Sequence, residues 1–490
     1  MPGRDVSRSV QPHVTRAAVR AWVAVSVALG LSGCILTTDI PDPALQVPAA
    51  YKEAGRASAT AATPQIDWWR GFKSRELTSL MEEAQTVNLD IAAAVARIVQ
   101  ADAQARITGA ALLPTLNAGD QATRAKSSGS SSSGLTNSGH ETTNYSSSLS
   151  ASYEIDFWGK NRDAALAASE TATASRFDRD VVALTTMAAV ANAYFQVLAA
   201  QDRLRTANRN IASAERILEA IKQRLSAGTG TDLDVAQQQS VLANQRAAVP
   251  PLRQTLAQNA HALATLVGRP PEMIKVAGGS LNSIAAPRVT PGLPSELLIQ
   301  RPDIRRQEAN LAAATANVGS ARAQFFPSIQ LTGQGGYQSA ALVSLFSPHA
   351  AFFSLAAGLT QPIFDGGRIR GNFDLTKAQQ DELLQTYRKT VVSAFADVDN
   401  ALVAVKQTSE KLRLQREVVT ASRRAFQLAE QQLRAGTADI VTVLNTQLTL
   451  FQAEDALSQA QLARLLAIVS LYQALGGGWG PTAAGTTNAL

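Results

Sequence analysis

The chain of 490 residues is poor in the residue types on which compact secreted folds and metalloproteins usually depend. It has one cysteine, Cys34, which excludes an intramolecular disulfide and any cysteine-built zinc or iron–sulfur site. Its four histidines, His13, His140, His261 and His349, are far apart and share no ligand spacing, so no structural metal is expected. Aromatic residues make up only 5%, against 46% hydrophobic residues overall, so the apolar surface is mostly Ala, Leu and Val. Small side chains of this kind suit long, close helix–helix contacts better than one large globular core. Charged residues are 17%, too few for a soluble coiled-coil rod, and the chain is too apolar for disorder. Arg4, Arg8, Arg16 and Arg20 against Asp5 supply half of the net charge of +6, and no cluster of basic and aromatic residues occurs. Nucleic-acid binding is therefore not expected. No run of ~18 apolar residues follows residue 33, so no transmembrane helix is expected there. The length alone suggests two to four domains of ~100–200 residues.

What is present begins with an address. A basic stretch is followed by the short apolar run AWVAVSVALGLS (residues 21–32) and by small residues, the order of a secretory signal. The run ends in Leu31-Ser32-Gly33-Cys34, which resembles the bacterial lipobox, and Ile35 rather than Asp follows the cysteine, as in an outer-membrane address. The resemblance implies a diacylated Cys34 as the first mature residue. The alternative reading is a buried free thiol.

Beyond it the chain repeats itself at a period of about 210 residues, far longer than a solenoid repeat. Asn88-Leu89-Asp90-Ile91 matches Arg301-Pro302-Asp303-Ile304, and Leu113-Pro114 matches Phe326-Pro327. Phe157-Trp158-Gly159 matches Phe364-Asp365-Gly366, and Leu225-Ser226-Ala227-Gly228-Thr229 matches Leu433-Arg434-Ala435-Gly436-Thr437. Both copies close alike, with Thr265-Leu266-Val267-Gly268 against Gln473-Ala474-Leu475-Gly476.

Within each copy the hydrophobic period changes. A helical stretch (88–112, and 302–325) ends at Pro114 or Pro327. The period then becomes two. Tyr145, Leu149, Tyr153 and Ile155 alternate with Ser146, Ser148, Ser150 and Ser152, and Ile329 and Leu331 alternate with Gln330, Thr332 and Gln334. Four strands follow, at about 114–127, 144–157, 327–340 and 351–363, the first pair joined by the Ser/Gly-rich loop 127–140. Such strands are long enough to cross a membrane as part of a barrel, and aromatics bunch at Phe157-Trp158, Phe325-Phe326 and Phe364 where strands meet helices. The same alternation also fits a soluble β-sandwich with one wet face. Four strands would not close a barrel, so several chains would have to contribute.

Very long helices come next, Gly159 to Leu225 and Gly366 to Leu433. A helix of ~67 residues is ~100 Å long. Each is followed by a glycine turn and a returning helix, Asp232 to Val267 and Asp439 to Leu475, and Pro250-Pro251 should break or kink the first return. Gly228 and Gly436 read as helix C-caps, with an Asp near the start of the next helix.

A secreted lipoprotein with a tandem repeat, paired strands and two long helical hairpins resembles the TolC-like outer-membrane factors, in particular the lipoprotein branch of the efflux outer-membrane proteins (NodT/OprM-like). The resemblance covers about residues 34–478. It is most specific from Glu296 through Arg301-Pro302-Asp303-Ile304 to Phe325-Phe326-Pro327-Ser328-Ile329, and again over 471–479. It implies a membrane α+β fold in a homotrimer: a twelve-strand outer-membrane barrel with four strands per chain, continued by a periplasmic helical barrel and braced by a mixed equatorial domain. The implied division is a signal peptide (1–33), a tether with an equatorial segment (34–87), repeat 1 (88–268), an equatorial linker (269–300), repeat 2 (301–475) and a tail (476–490). Loop 127–140 would sit outside the cell.

The resemblance further implies a passive duct without cofactors for small toxic compounds. It would be served by a proton-driven inner-membrane pump and a periplasmic adaptor, the adaptor meeting the tips at Ala227, Gly228, Thr229 and Ala435, Gly436, Thr437. Capping alone would also explain those glycines. Relatives ring their periplasmic aperture with acidic residues, but the matching positions here are Thr442 and Asn445. Asp234 matches a residue that ion-pairs across the hairpins in some relatives, yet its basic partner is replaced by Ala438. The expectation is a gate of apolar and hydrogen-bonded contacts, with Val441 and Leu444 as candidates and weak binding of divalent cations. A duct for proteins or oligosaccharides and a lipid-anchored periplasmic coiled-coil scaffold are the alternatives. No nucleophile–His–acid or paired-carboxylate set stands out, so an enzyme is not expected.

Overall fold

The computed structural model describes residues 39–48, 50–52, 66–126, 141–477 and 479. Contacts divide the chain into two units. The first holds residues 104–169 and 312–381, the second 42–103, 170–311 and 382–477, and the division falls inside four helices.

In the first unit, β1 (Thr115–Lys126), β2 (Glu141–Ile155), β3 (Ser328–Ser339) and β4 (Ala351–Thr360) form one antiparallel sheet in chain order. The strand positions are close to those the alternation indicates, except that β2 starts three residues earlier and stops short of Phe157, and β4 ends at Thr360, three residues short of 363. The register puts Ser152 opposite Thr115 and Thr332, and Ser150 opposite Asn117 and Gln334, so hydroxyls and carboxamides share one face. The other face holds Leu116, Leu149, Leu331, Phe353 and Leu355, with Phe353 82% and Leu355 81% exposed. Asp120, opposite Ser147, interrupts it, and Arg124, Lys126 and Glu141 close it at the end away from the helices. Where strands give way to helices, the Trp158 ring stacks on Phe326 at 4.6 Å and its indole N–H donates to the Pro327 carbonyl at 2.9 Å. These contacts hold together the aromatics that bunch where strands meet helices, although Phe364 stands 92% exposed.

The second unit is built on helices. α1 (Arg75–Val87) is capped by Ser74, whose hydroxyl accepts from Leu77 N. α2 (Leu89–Gly109) starts at Asn88, whose side chain accepts from the Asp90 and Ile91 amides. The long helix α3 (Lys160–Ser226) is followed by α4 (Asp232–Ala247) and α5 (Val249–Leu266). The return is broken at Ala248, because Pro250 and Pro251 offer no N–H to the preceding turn. Then come α6 (Pro294–Gln300), α7 (Pro302–Ala323), α8 (Arg368–Arg434) and α9 (Ile440–Ala474). α3 and α8 are each 67 residues long, whereas α9 returns unbroken.

Although no unbroken run of ~18 apolar residues occurs, α3 contains a window of mean hydropathy 1.6, apolar enough to cross a membrane by composition. Thr and Asn interspersed among Ala, Val and Leu hide it from a search for unbroken apolar runs. Of that window 56% is buried in the protein, as in a core helix. α3 there supplies Met187, Tyr194, Phe195 and Leu198 to a cluster with Trp68, Phe72, Leu281 and Tyr472. Trp68 stacks on Tyr472 at 4.9 Å and Phe72 meets Phe195 at 5.0 Å. Tyr194 O–H donates to Glu76 at 3.1 Å, and Glu76 accepts the Ala277 N–H at 2.6 Å, which binds linker to helix. Burial pushes the Tyr194 hydroxyl up to about 12.

The two returning helices end in the same joint. Gly268 and Gly476 have positive φ, and a side chain on either would run into a carbonyl, that of Val87 or that of Gln300. The side chain following that carbonyl reaches the last turn of the return helix: Asn88 donates to Leu266 O at 2.7 Å, and Arg301 to Ala474 O at 3.2 Å.

Candidate functional site

The hairpin tips repeat one another bond for bond. At the first, Gly228 N donates to Leu225 O at 3.0 Å and Thr229 N to Arg224 O at 2.9 Å, with Gly228 at φ +71°. At the second, Gly436 N donates to Leu433 O at 3.2 Å and Thr437 N to Gln432 O at 2.9 Å, with Gly436 at φ +73°. This paired closure satisfies the last helix carbonyls and needs a left-handed residue, which glycine adopts without strain. The Thr229 and Thr437 hydroxyls donate to the same carbonyls of Arg224 and Gln432. Ala227 and Ala435 are exposed on these turns.

The helices that leave the tips are capped with the two side chains exchanged. Thr231 accepts from Asp234 N at 3.2 Å while Asp234 accepts from Thr231 N at 2.9 Å, a reciprocal box. In the second hairpin Asp439 is the cap and accepts from Thr442 N at 2.9 Å and Thr442 Oγ1 at 2.5 Å. Those bonds hold the Asp439 carboxyl below its ordinary value. Asp234 and Thr442, both singled out from sequence, thus serve the first turn of their helices.

The structure brings both tips together through a residue the sequence reading missed. Arg224 donates to Leu433 O at 2.8 Å and Thr229 O at 3.3 Å, so one guanidinium closes its own turn and ties α3 to the end of α8. A basic residue in a last helical turn is a weak signal, satisfied equally by its own helix. Beneath the tips, Ile217, Ile221, Phe426, Leu433, Ile440 and Val443 form an apolar cluster. Leu444 packs against it, whereas Val441 is 45% exposed and Asn445 is exposed. Above it Gln238, fully buried, donates to Ala214 O at 2.9 Å and to Gln447 Oε1 at 3.3 Å across the hairpins. Gln238 Oε1 and Gln447 Nε2 have no partner. No group of side chains that could hold a metal occurs among the described residues. Cys34 and loop 127–140 lie outside them.

The profile of the outer membrane efflux proteins matches residues 80–269 and 293–477, one segment for each copy of the repeat. The chain belongs to the outer membrane efflux protein family. The pyoverdine export outer membrane protein OpmQ of Pseudomonas aeruginosa is 42% identical over 460 residues, covering 93% of this chain and 96% of that protein. The toluene efflux pump outer membrane protein TtgC of Pseudomonas putida is 32% identical, covering 92% and 93%. Among solved structures, the open state of the Neisseria gonorrhoeae MtrE outer membrane channel superposes with a TM-score of 0.81 at 31% identity, covering 90% of this chain and 99% of that one. This outer membrane efflux protein has the fold of the trimeric outer-membrane channels, with four strands and two long helical hairpins per chain. It is an outer-membrane protein that extends into the periplasm. Proteins of this family are channels that work in tripartite efflux systems.

Proposed function

We propose that this protein is the passive exit duct of a tripartite efflux system, conducting small compounds from a proton-driven inner-membrane pump and a periplasmic adaptor to the cell exterior. Three chains would pair β1 of one with β4 of the next, so that each polar face turns inward and no strand edge is left open. The observation that carries the reading is the pair of like-built tips tied by Arg224, which presents two equivalent turns at one level to an adaptor. Pyoverdine and toluene, named for OpmQ and TtgC, are both small molecules. The gate is the segment after the second tip, with Val441 free to meet its symmetry mates, Leu444 anchored in the cluster below, and Thr442 and Asn445 uncharged. Residues 88–268 and 301–475 act as the repeats, 34–87 and 269–300 as equatorial segments, and Cys34 as the lipid anchor.

The test is conductance of the purified protein in planar bilayers together with its oligomeric mass. A trimer with discrete channels, left unblocked by low concentrations of divalent cations until Asn445→Asp is introduced, is the expected result. A monomer without conductance overturns the duct. Cysteines at Thr229 and Thr437 should cross-link to the adaptor, and collapse of the proton gradient should stop export.

A further inference from the structure

Charge is distributed unevenly over the sheet. The face bearing Ser148, Ser150 and Ser152 also bears Asn117, Gln330 and Gln334, and its side chains bond one another: Gln330 Nε2 donates to Ser152 Oγ at 2.7 Å and Gln334 Nε2 to Ser148 Oγ at 3.2 Å. One charge lies on this face, Glu154 at the helix end of β2, and Lys160 pairs with it at 2.5 Å. The remaining strand charges, Asp120, Arg124, Lys126 and Glu141, occupy the opposite phase, three of them at the far end, where Glu141 pairs with Arg124 and Lys126. The loop after β1 and the whole stretch that holds β3 and β4 follow suit. Neither 127–140 nor 327–363 contains a single Lys, Arg, Asp or Glu, in a chain where these make up 17%.

We propose that the barrel lumen of this protein is an electroneutral surface of hydroxyls and carboxamides that discriminates cargo by size and hydrogen bonding, not by charge. The proposal rests on the duct reading given above. In a three-chain barrel every residue occurs three times, so a single unpaired carboxylate per chain would make a ring. In a low-dielectric wall such a ring sets up a potential of one or more kT and filters cargo by sign. With that ring missing, cationic, anionic and neutral compounds meet the same wall. Its Ser and Gln groups exchange bonds among themselves for bonds to passing hydroxyl, amide or carboxylate groups at little cost. The cargo class is polar small molecules of either charge.

Single cysteines at Ser150 and Gln334, and on the opposite face at Leu149 and Phe353, test this in the assembled protein, with the parent chain as blank. The readout is the rate of modification by two membrane-impermeant thiosulfonates, one cationic and one anionic. A potential of one kT multiplies their rate ratio by about sevenfold. The expected ratio at 150 and 334 is within about threefold of that for a free small thiol. A larger departure overturns the neutral lumen while leaving the duct intact. Equal reactivity on both faces, or none on either, instead overturns the barrel itself.

Discussion

The two hairpins of this chain use the same bonds with different side chains. At the joint where each return helix ends, an amide (Asn88) and a guanidinium (Arg301) reach equivalent carbonyls, those of Leu266 and Ala474. At the tips, Thr231 and Asp234 cap the first return helix, and Asp439 and Thr442, in the reverse order, cap the second. The backbone is therefore the quantity held constant between the copies, while any side chain that supplies the needed donor or acceptor suffices. The exception is the middle of the return: α4 and α5 are separated at Ala248, and α9 is not interrupted.

The largest effect is expected at the joint. Arg301 is mostly buried between Asp303 at 2.7 Å and Asp397 at 3.1 Å, so Arg301→Ala removes the cation from a shielded pair and should cost about 3 kcal/mol. Asn88→Ala, which leaves Leu266 O unpaired and α2 uncapped, should cost about 2 kcal/mol. Thermal unfolding of the two variants compares the copies directly; equal losses would mean the charge adds nothing. The Asp303 pair has a pH signature. Burial works against ionisation, but the Arg301 hydrogen bonds and charge outweigh it and lower the Asp303 pKa. Its contribution is complete above the ordinary aspartate range and is lost as pH falls through the depressed value.

Next is the break. Ser458→Pro transplants a proline to the α9 position matching Pro250 and should destabilise the second hairpin by about 3 kcal/mol, comparable to the joint variant, since α9 has no turn there to absorb it. If melting is unaffected, the break is not what distinguishes the hairpins. Arg224→Ala should loosen both tips by about 1–2 kcal/mol, seen as faster amide exchange at Gly228 and Thr437 alike. Exchange confined to the first tip would show that the link to Leu433 is dispensable. The smallest effect is at Asp439: Asp439→Asn keeps an acceptor, so the first turn of α9 should lose only its fraying in acid, read from amide exchange at Thr442 against pH.

Much of this was legible in the residues. Alternation located the strands to within a few positions because one face of each is apolar and the other polar, and proline-free stretches located the 67-residue helices. Pro250-Pro251 gave the break from chemistry that needs no partner. The unforeseen features are contacts between distant segments: Arg224 to Leu433, Gln238 to Gln447, and the Trp68–Phe72–Phe195–Tyr472 cluster. Each of those residues is unremarkable in its own window, and only the fold supplies its neighbour. The positions proposed for the gate divide for the same reason. Val441 and Leu444 are three residues apart on one helix, yet one is exposed and the other is packed, because α8 and α3 cover only one side of α9 at that level.

The equal length of α3 and α8 constrains how such a chain can vary over generations. Inserting one residue in either helix advances everything beyond it by 1.5 Å and turns it by ~100°. The guanidinium of Arg224 would then face away from Leu433, and the two turns would no longer lie side by side. A lengthened tube therefore demands matched insertions in both copies and in both returning helices, a coincidence of four. Lineages should accordingly differ freely in strand loops and tails and hardly at all in the reach of their helices.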